Sequence, residues 1–200
     1  SLQPKEFVQE QLNKIFQSEE QAIPDEIVFI NMCECSQSQL LMQVFERTHH
    51  IIGTNSLSDV KFSFTTLCNK IQKFCNSNLK TPIPIKLVLI GSDAYVNSFL
   101  RFYVELLSSK SPDWQNYWRF YLIPSSYVNN QSSSSPLHKY LASIDPVYTS
   151  YFHANNQSKD ADSSRDNTGD NAVSAQELYS KVVNYLKSAQ AVLQIPIAEA

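Results

Sequence analysis

The residues of this chain that are best placed to form a ligand site are Asn31, Gly91, Ser92 and Asp93. Asn31 ends one apolar run, and the other three residues lie between a second apolar run and a helical pattern. If the two runs are neighbouring parallel strands, their carboxyl ends meet at one crevice, where open α/β sheets bind ligands. A helix amino terminus at this position favours an anion. One hypothesis is therefore a small-molecule-binding or hydrolase-type site in this crevice.

The same residues also have a structural interpretation, because Ser and Asp commonly cap helices. Phosphate loops need several close glycines, but the chain has only three, and it contains no GxGxxG or GxxxxGKS motif. Asp93 would repel a phosphate, and the GxSxG motif of serine hydrolases is absent. Capping by Ser92 and Asp93 is therefore favoured, and no catalytic residue, cofactor or metal is predicted. A deep polar pocket would support the ligand hypothesis, whereas Tyr95 filling that place would oppose it.

Cysteines and histidines are the other candidates for chemistry. Cys33 and Cys35 would need His49 or His50 to form a zinc site, and the chain has no CxxC pair. The spacing favours reduced thiols over disulfides or zinc. The four predicted free thiols are Cys33, Cys35, Cys68 and Cys75. The two remaining histidines, His138 and His153, are interpreted as surface or hydrogen-bonded core residues.

The elements that position these residues alternate between strands and helices. Continuous apolar runs, typical of strands buried on both faces, predict strands at 24–31, 49–54, 81–92 and 119–124. Apolar residues at helical spacing predict helices at 4–16, 38–48, 58–75, 93–110, 135–144 and 174–192. This pattern predicts an α/β domain with a doubly wound, mainly parallel sheet of four to five strands and helices on both faces. The predicted strand order is 2-1-3-4, a Rossmann-like arrangement without a nucleotide fingerprint.

The second half of the chain is less regular. Residues 125–135 are predicted to form a polar loop, and the aromatic segment 145–152 to dock on the body of the domain. Residues 154–172 contain no aliphatic or aromatic side chain larger than alanine, so we expect an internal disordered loop. Within it, Ser163 precedes Asp166 in a weak pattern for an acid-directed kinase, which makes it a possible phosphorylation site.

Composition limits the classes of partner. Residues 1–200 are expected to be a single domain excised from a larger chain. The net charge of −3 argues against nucleic-acid binding and against charge-driven membrane binding. No apolar run approaches the ~20 residues that cross a bilayer, so no membrane insertion is expected. The aromatic group from Trp114 to Tyr121 is interpreted as core. Alternating apolar residues at Leu193, Ile195 and Ile197 predict packing on the sheet or on a neighbouring molecule.

Several stretches resemble a known family. Residues 111–124, 138–152 and 193–200 resemble the C-terminal region of the phosphofurin acidic cluster sorting protein (PACS) family, and 24–31 and 85–107 look like earlier parts of that region. The resemblance implies a cytosolic, non-enzymatic sorting adaptor that works with protein partners at the trans-Golgi network and endosomes. It also implies that cargo with acidic clusters is bound by a separate domain nearer the N-terminus. The resulting interpretation is a protein-interaction or scaffold domain of a trafficking adaptor.

Overall fold

Four short apolar runs form the centre of the molecule as strands. The computed structural model describes residues 4–17, 23–78, 81–129, 135–152, 174–189 and 193–195. The strands are β1 (Glu26–Asn31), β2 (His50–Thr54), β3 (Ile85–Gly91) and β4 (Trp118–Pro124). All pair in parallel in the order β2-β1-β3-β4, which confirms the predicted order. The central strands are buried on both faces, so their apolar runs are continuous instead of alternating.

Helices cover both faces of this sheet. They are α1 (Pro4–Ile15), α2 (Ser38–Phe45), α3 (Leu57–Ser77), α4 (Asp93–Leu107), α5 (Ser125–Val128), α6 (Pro136–Ile144), α7 (Pro146–Phe152) and α8 (Ala175–Ser188), with a 3-10 helix at Pro112–Tyr117. One core lies between the sheet and α1, α3 and α4, and a second core lies between the opposite face and α2, α5, α6, α7 and α8. The doubly wound α/β class is thus confirmed. No helix in the described ranges combines the length and apolar character needed to cross a membrane.

Aromatic side chains fill much of both cores. On the first face, Phe99 lies edge-on to Phe29 with ring centroids 4.9 Å apart, and Phe64 lies 4.8 Å from Trp118. Trp114 and Trp118 are both buried in this core, where the sequence interpretation placed their group. On the second face, α7 docks through side chains that are almost fully buried. The predicted docking of segment 145–152 is therefore confirmed, and its conformation is helical.

A side-chain amide closes part of the β2 edge. The Gly53 backbone N–H donates to Gln11 Oε1 at 2.7 Å, and Gln11 Nε2 donates to the Gly53 carbonyl at 3.3 Å. Gln11 therefore satisfies the outward backbone groups of Gly53 as a neighbouring strand would. Such coverage is one way in which proteins protect edge strands.

The structure corrects several local predictions. The helix predicted at 58–75 begins at Leu57, and it is capped by Ser56, whose Oγ accepts from the Asp59 N–H at 3.2 Å. Part of the predicted loop 125–135 forms α5, whose Val128 is buried against the second core. Leu193 and Ile195 are 46% and 39% exposed, so neither residue is buried in a core, and packing on a neighbouring molecule stays a prediction. Ile197 and the predicted disordered loop 154–172 lie outside the described residues.

Candidate functional site

The four predicted site residues lie at the carboxyl edge of the two central strands. Asn31 ends β1 and Gly91 ends β3, and these strands pair directly. Ser92 caps α4, since its Oγ accepts from the Tyr95 N–H at 3.2 Å, and Asp93 is the first residue of that helix. The sequence pattern therefore located one common edge of the sheet. What matters for function is which groups occupy that edge.

A carboxylate of the chain itself occupies the amino terminus of α4. Glu34 Oε2 accepts from the Ser92 backbone N–H at 2.8 Å, and Glu34 Oε1 accepts from Ser92 Oγ at 2.8 Å. This is the place where the partial positive charge of the helix would attract an anionic ligand. The hydroxyl of Ser92 donates to this carboxylate, and no histidine of the described residues bonds to it. Glu34 thus takes the position that a bound anion would need.

Tyr95 fills the space next to Gly91. A Cβ atom added to Gly91 would lie 2.3 Å from Tyr95 Cδ1, so the ring packs directly on the glycine backbone. The Tyr95 hydroxyl lies 2.9 Å from Thr54 Oγ1, which fixes the ring between β3 and β2. Burial raises the pKa of Tyr95 far above its usual range and holds the phenol neutral. Gly91 therefore serves close packing of an aromatic ring, not the approach of a phosphate.

The other two predicted residues also bind groups of the chain. Asn31 Oδ1 accepts from the Cys33 backbone N–H at 3.0 Å, a local turn after the strand. Asp93 Oδ2 accepts from the Leu137 backbone N–H at 3.1 Å and so fixes the first turn of α6. Each side chain at this edge positions a loop or helix of the domain.

Asn129, directly after α5, joins two loops above the same edge. Its Nδ2 donates to the Glu34 carbonyl at 2.7 Å, and its Oδ1 accepts from the Ser36 backbone N–H at 3.0 Å. The segment after β4 is thereby tied to the loop that follows β1. The pair of bonds holds Glu34 over Ser92 and covers the crevice.

A small cavity lies beside the predicted site. It has a volume of about 10 Å³ and lies between Gly91, Asp93, His138 and Tyr148. The ring of His138 contributes Nδ1 at 3.2 Å from the Tyr148 hydroxyl. A volume of this size holds at most about one water molecule. This cavity therefore has no room for an organic substrate.

The cysteines and histidines considered for a zinc site lie at different ends of the sheet. Cys33 and Cys35 follow β1 at the carboxyl edge, whereas His49 and His50 lie at the amino end of β2. Among the described residues, no group of three potential metal ligands comes together. The four predicted thiols are unpaired. Burial raises the pKa of Cys35 and of Cys68 to about 12, which makes both poor nucleophiles. His153 and Ser163 lie outside the described residues.

Sequence reasoning missed Glu34 and Asn129, the two residues that close the edge. A partial signal existed for Glu34, which lies three positions after the end of β1, in the loop facing the crevice. Its partner Ser92 is 58 positions away, so only the pairing of β1 with β3 brings the two residues together. Nothing in the local sequence distinguishes Asn129 from the polar residues that follow it.

Comparison with known proteins assigns the chain to a family. The profile of the family described as PACS-1 cytosolic sorting protein matches residues 8–200. Phosphofurin acidic cluster sorting protein 2 of Mus musculus is 34% identical over 203 residues, which cover 98% of this chain and 22% of that protein. Phosphofurin acidic cluster sorting protein 1 of Mus musculus is 31% identical over 197 residues, which cover 98% of this chain and 19% of that protein. No solved structure matches the chain.

The chain spans about a fifth of the length of the curated relatives it matches. The match is nevertheless continuous over nearly the whole chain and includes all four strands. On these grounds, the chain belongs to the phosphofurin acidic cluster sorting protein family.

Proposed function

We propose that this chain is a non-catalytic protein-interaction domain of a membrane-trafficking sorting adaptor. Its partners are other proteins of the sorting machinery or cargo. The domain works in the cytoplasm, on the surface of the trans-Golgi network and endosomes. Family membership supports the sorting role, since the family description names cytosolic sorting proteins.

The observation that carries the non-catalytic part is the closed carboxyl edge. Open α/β enzymes bind their substrates at this edge of the sheet. Here Glu34 binds Ser92 at 2.8 Å, and Tyr95 packs against Gly91. The cavity of about 10 Å³ beside these residues is too small for an organic substrate. A domain built in this way offers its outer surface, and not its crevice, to other molecules.

Exposed apolar side chains are candidate contacts for a protein partner. Leu57 and Phe62 of α3 are 58% and 36% exposed, and Leu40 of α2 is 53% exposed. Large apolar residues of this kind are single and scattered in many monomers, so they do not identify an interface alone. They provide positions at which substitution leaves both cores intact. Phosphorylation of Ser163 stays a prediction, and it would change partner binding through added negative charge.

Proximity labelling in cells tests the proposal. The wild-type chain is compared with Val28→Asp, which places a charge in the centre of β1 and unfolds the domain. We expect proteins of the sorting machinery to be labelled by the wild type and not by the unfolded control. Leu57→Asp should reduce labelling of a partner that uses this surface without lowering the melting temperature.

Two results would contradict the proposal. One is the same labelling pattern for the wild type and the unfolded control. The other is saturable binding of a metabolite to the purified chain that is abolished by substitutions at Asn31 and Ser92. That second result would favour the rival hypothesis of a small-molecule site in the crevice.

A further inference from the structure

Titratable side chains form one row across the amino ends of all four strands. Glu26 of β1 pairs with Lys86 of β3, and Lys86 pairs with Arg119 of β4. His49 stands just before β2, and its Nε2 lies 3.5 Å from Glu26 Oε1. Across the sheet, the amino-edge row therefore reads His49, Glu26, Lys86, Arg119. It lies at the end of the sheet opposite to the crevice described above.

A groove opens between this row and the end of α8. The row points to the same face as Val28 and Val88, which pack in the second core with α8. The groove has a volume of about 490 Å³, within the range of small-molecule pockets. Besides the amino-edge row, it is lined by Pro84, Tyr121, Val183, Leu186, Lys187 and Ala189. One wall is therefore apolar, and the floor carries charges.

Cations outnumber carboxylates in the groove. Its lining contains Lys86, Arg119 and Lys187, but only one carboxylate, that of Glu26. The ammonium groups of Lys86 and Lys187 make no hydrogen bond or ion pair with any residue in the described ranges. Asp25 lines a neighbouring depression, which shares Glu26, His49 and Lys86 with the groove. This concentration of positive charge stands out in a chain whose net charge is −3.

Arg119 and Glu26 leave this positive charge largely unbalanced. Arg119 Nη1 donates to the Trp118 carbonyl at 2.8 Å and to the Asn116 carbonyl at 3.5 Å, and no ion pair joins Arg119 to a carboxylate of the described residues. Desolvation raises the pKa of Glu26, and the nearby His49 and Lys86 only partly oppose this shift. The buried Glu26 Oε1 has no hydrogen-bond partner. Glu26 is thus a weak counter-ion for the cations beside it.

We propose that this groove binds a small organic oxyanion, whose carboxylate or phosphate lies between Lys86, Arg119 and Lys187 and whose apolar part lies against Val183 and Leu186. Arginine and lysine together supply charge-assisted hydrogen bonds to such a group. The half-buried position of Lys86 and Arg119 weakens screening by salt compared with exposed lysines. This site is separate from the protein-interaction role proposed above and does not depend on it.

Amide NMR titration of the 15N-labelled chain at constant ionic strength tests this site. The probes are benzoate, phenyl phosphate, inorganic phosphate and the uncharged benzyl alcohol. We expect saturable shifts at Lys86, Arg119, Tyr121 and Leu186 with the two aromatic anions. Inorganic phosphate should bind roughly fivefold more weakly because it lacks an apolar part. Comparison of benzoate with phenyl phosphate identifies which oxyanion the groove prefers.

Matched lysine variants complete the test. Lys86→Gln should weaken binding of phenyl phosphate about tenfold, the effect of losing one charge-assisted contact. Lys61→Gln is the control, because Lys61 is exposed on α3 and bonded to Glu105 at 2.8 Å on the other face. If Lys86→Gln does not fold, Lys187→Ala on the exposed end of α8 replaces it. Equal effects of groove and control variants would overturn the proposal. So would shifts spread over all surface lysines, or benzyl alcohol binding as tightly as benzoate.

Discussion

Replacing Glu34 with alanine tests whether its two bonds to Ser92 stabilise the domain at the carboxyl edge of the sheet. The substitution removes the acceptor for both the N–H and the hydroxyl of Ser92, each bonded at 2.8 Å. Hydrogen bonds to a charged group contribute about 1.5–3 kcal/mol each in buried positions. Glu34 is only half-buried, so solvent screening lowers this sum, and we expect a loss of about 2–3 kcal/mol. Glu34→Gln keeps one acceptor oxygen and should lose about half as much.

Urea denaturation measures the free energy of unfolding of each variant. The midpoint should fall while the slope stays constant, because the folded state keeps its surface. Glu10→Ala, an exposed position on α1, is the control and should change stability by less than about 0.5 kcal/mol. A double-mutant cycle with Ser92→Ala isolates the pair, and a coupling of about 1–2 kcal/mol is expected. Strictly additive effects, or a Glu34→Ala variant as stable as the control, would refute the idea that this carboxylate caps α4.

Three further predictions concern packing, the sheet edge and pH. Gly91→Ala should destabilise the domain by about 2–3 kcal/mol in the same urea assay, because the added Cβ would lie 2.3 Å from the ring of Tyr95. A variant as stable as the wild type would contradict this packing. Gln11→Ala should lower the free energy of unfolding by about 1–3 kcal/mol, because the backbone groups of Gly53 lose their partner. Amide hydrogen exchange at Gly53 should become faster, and unchanged exchange would count against the edge contact. Stability should fall between pH 9 and about 12, because the buried Cys35 thiol keeps its proton in the folded state after the unfolded chain has lost it. Cys35→Ala should reduce that slope by about 1.4 kcal/mol per pH unit in urea titrations, and an identical slope would show that this thiol is not responsible.

Strands and their order could be predicted because the signal is local or follows from general rules. Apolar runs such as Val28 to Ile30 indicate burial on both faces, and right-handed crossovers leave few possible orders. The helix cap at Ser92 was also predicted, and like Ser135 and Ser174 it accepts from the backbone N–H three residues ahead. Helix ends were less predictable. The helix predicted at 58–75 begins one residue earlier, at Leu57, because the side chain of Ser56 caps it.

Contacts that decide function come from residues distant in the chain, and these could not be predicted. Each strand begins near a titratable residue, which is visible in the sequence as Glu26, Lys86 and Arg119. Only the register of the sheet places them side by side. The same holds for Glu34, whose role depends on the pairing of β1 with β3. Local sequence fixes the type of each side chain, whereas strand register decides which types meet.

The side-chain amide of Gln11 makes the two edge strands of the sheet unequal as places where a further strand could pair. On the β2 side, the backbone groups of Gly53 are already bonded to that side chain, so an incoming strand would have to displace it. On the β4 side, no further strand pairs within the described residues, and Phe120 and Leu122 are only half-buried. We therefore expect that a segment which extended this sheet would add beside β4. Edge-to-edge aggregation through β2 is disfavoured by a single side chain from α1.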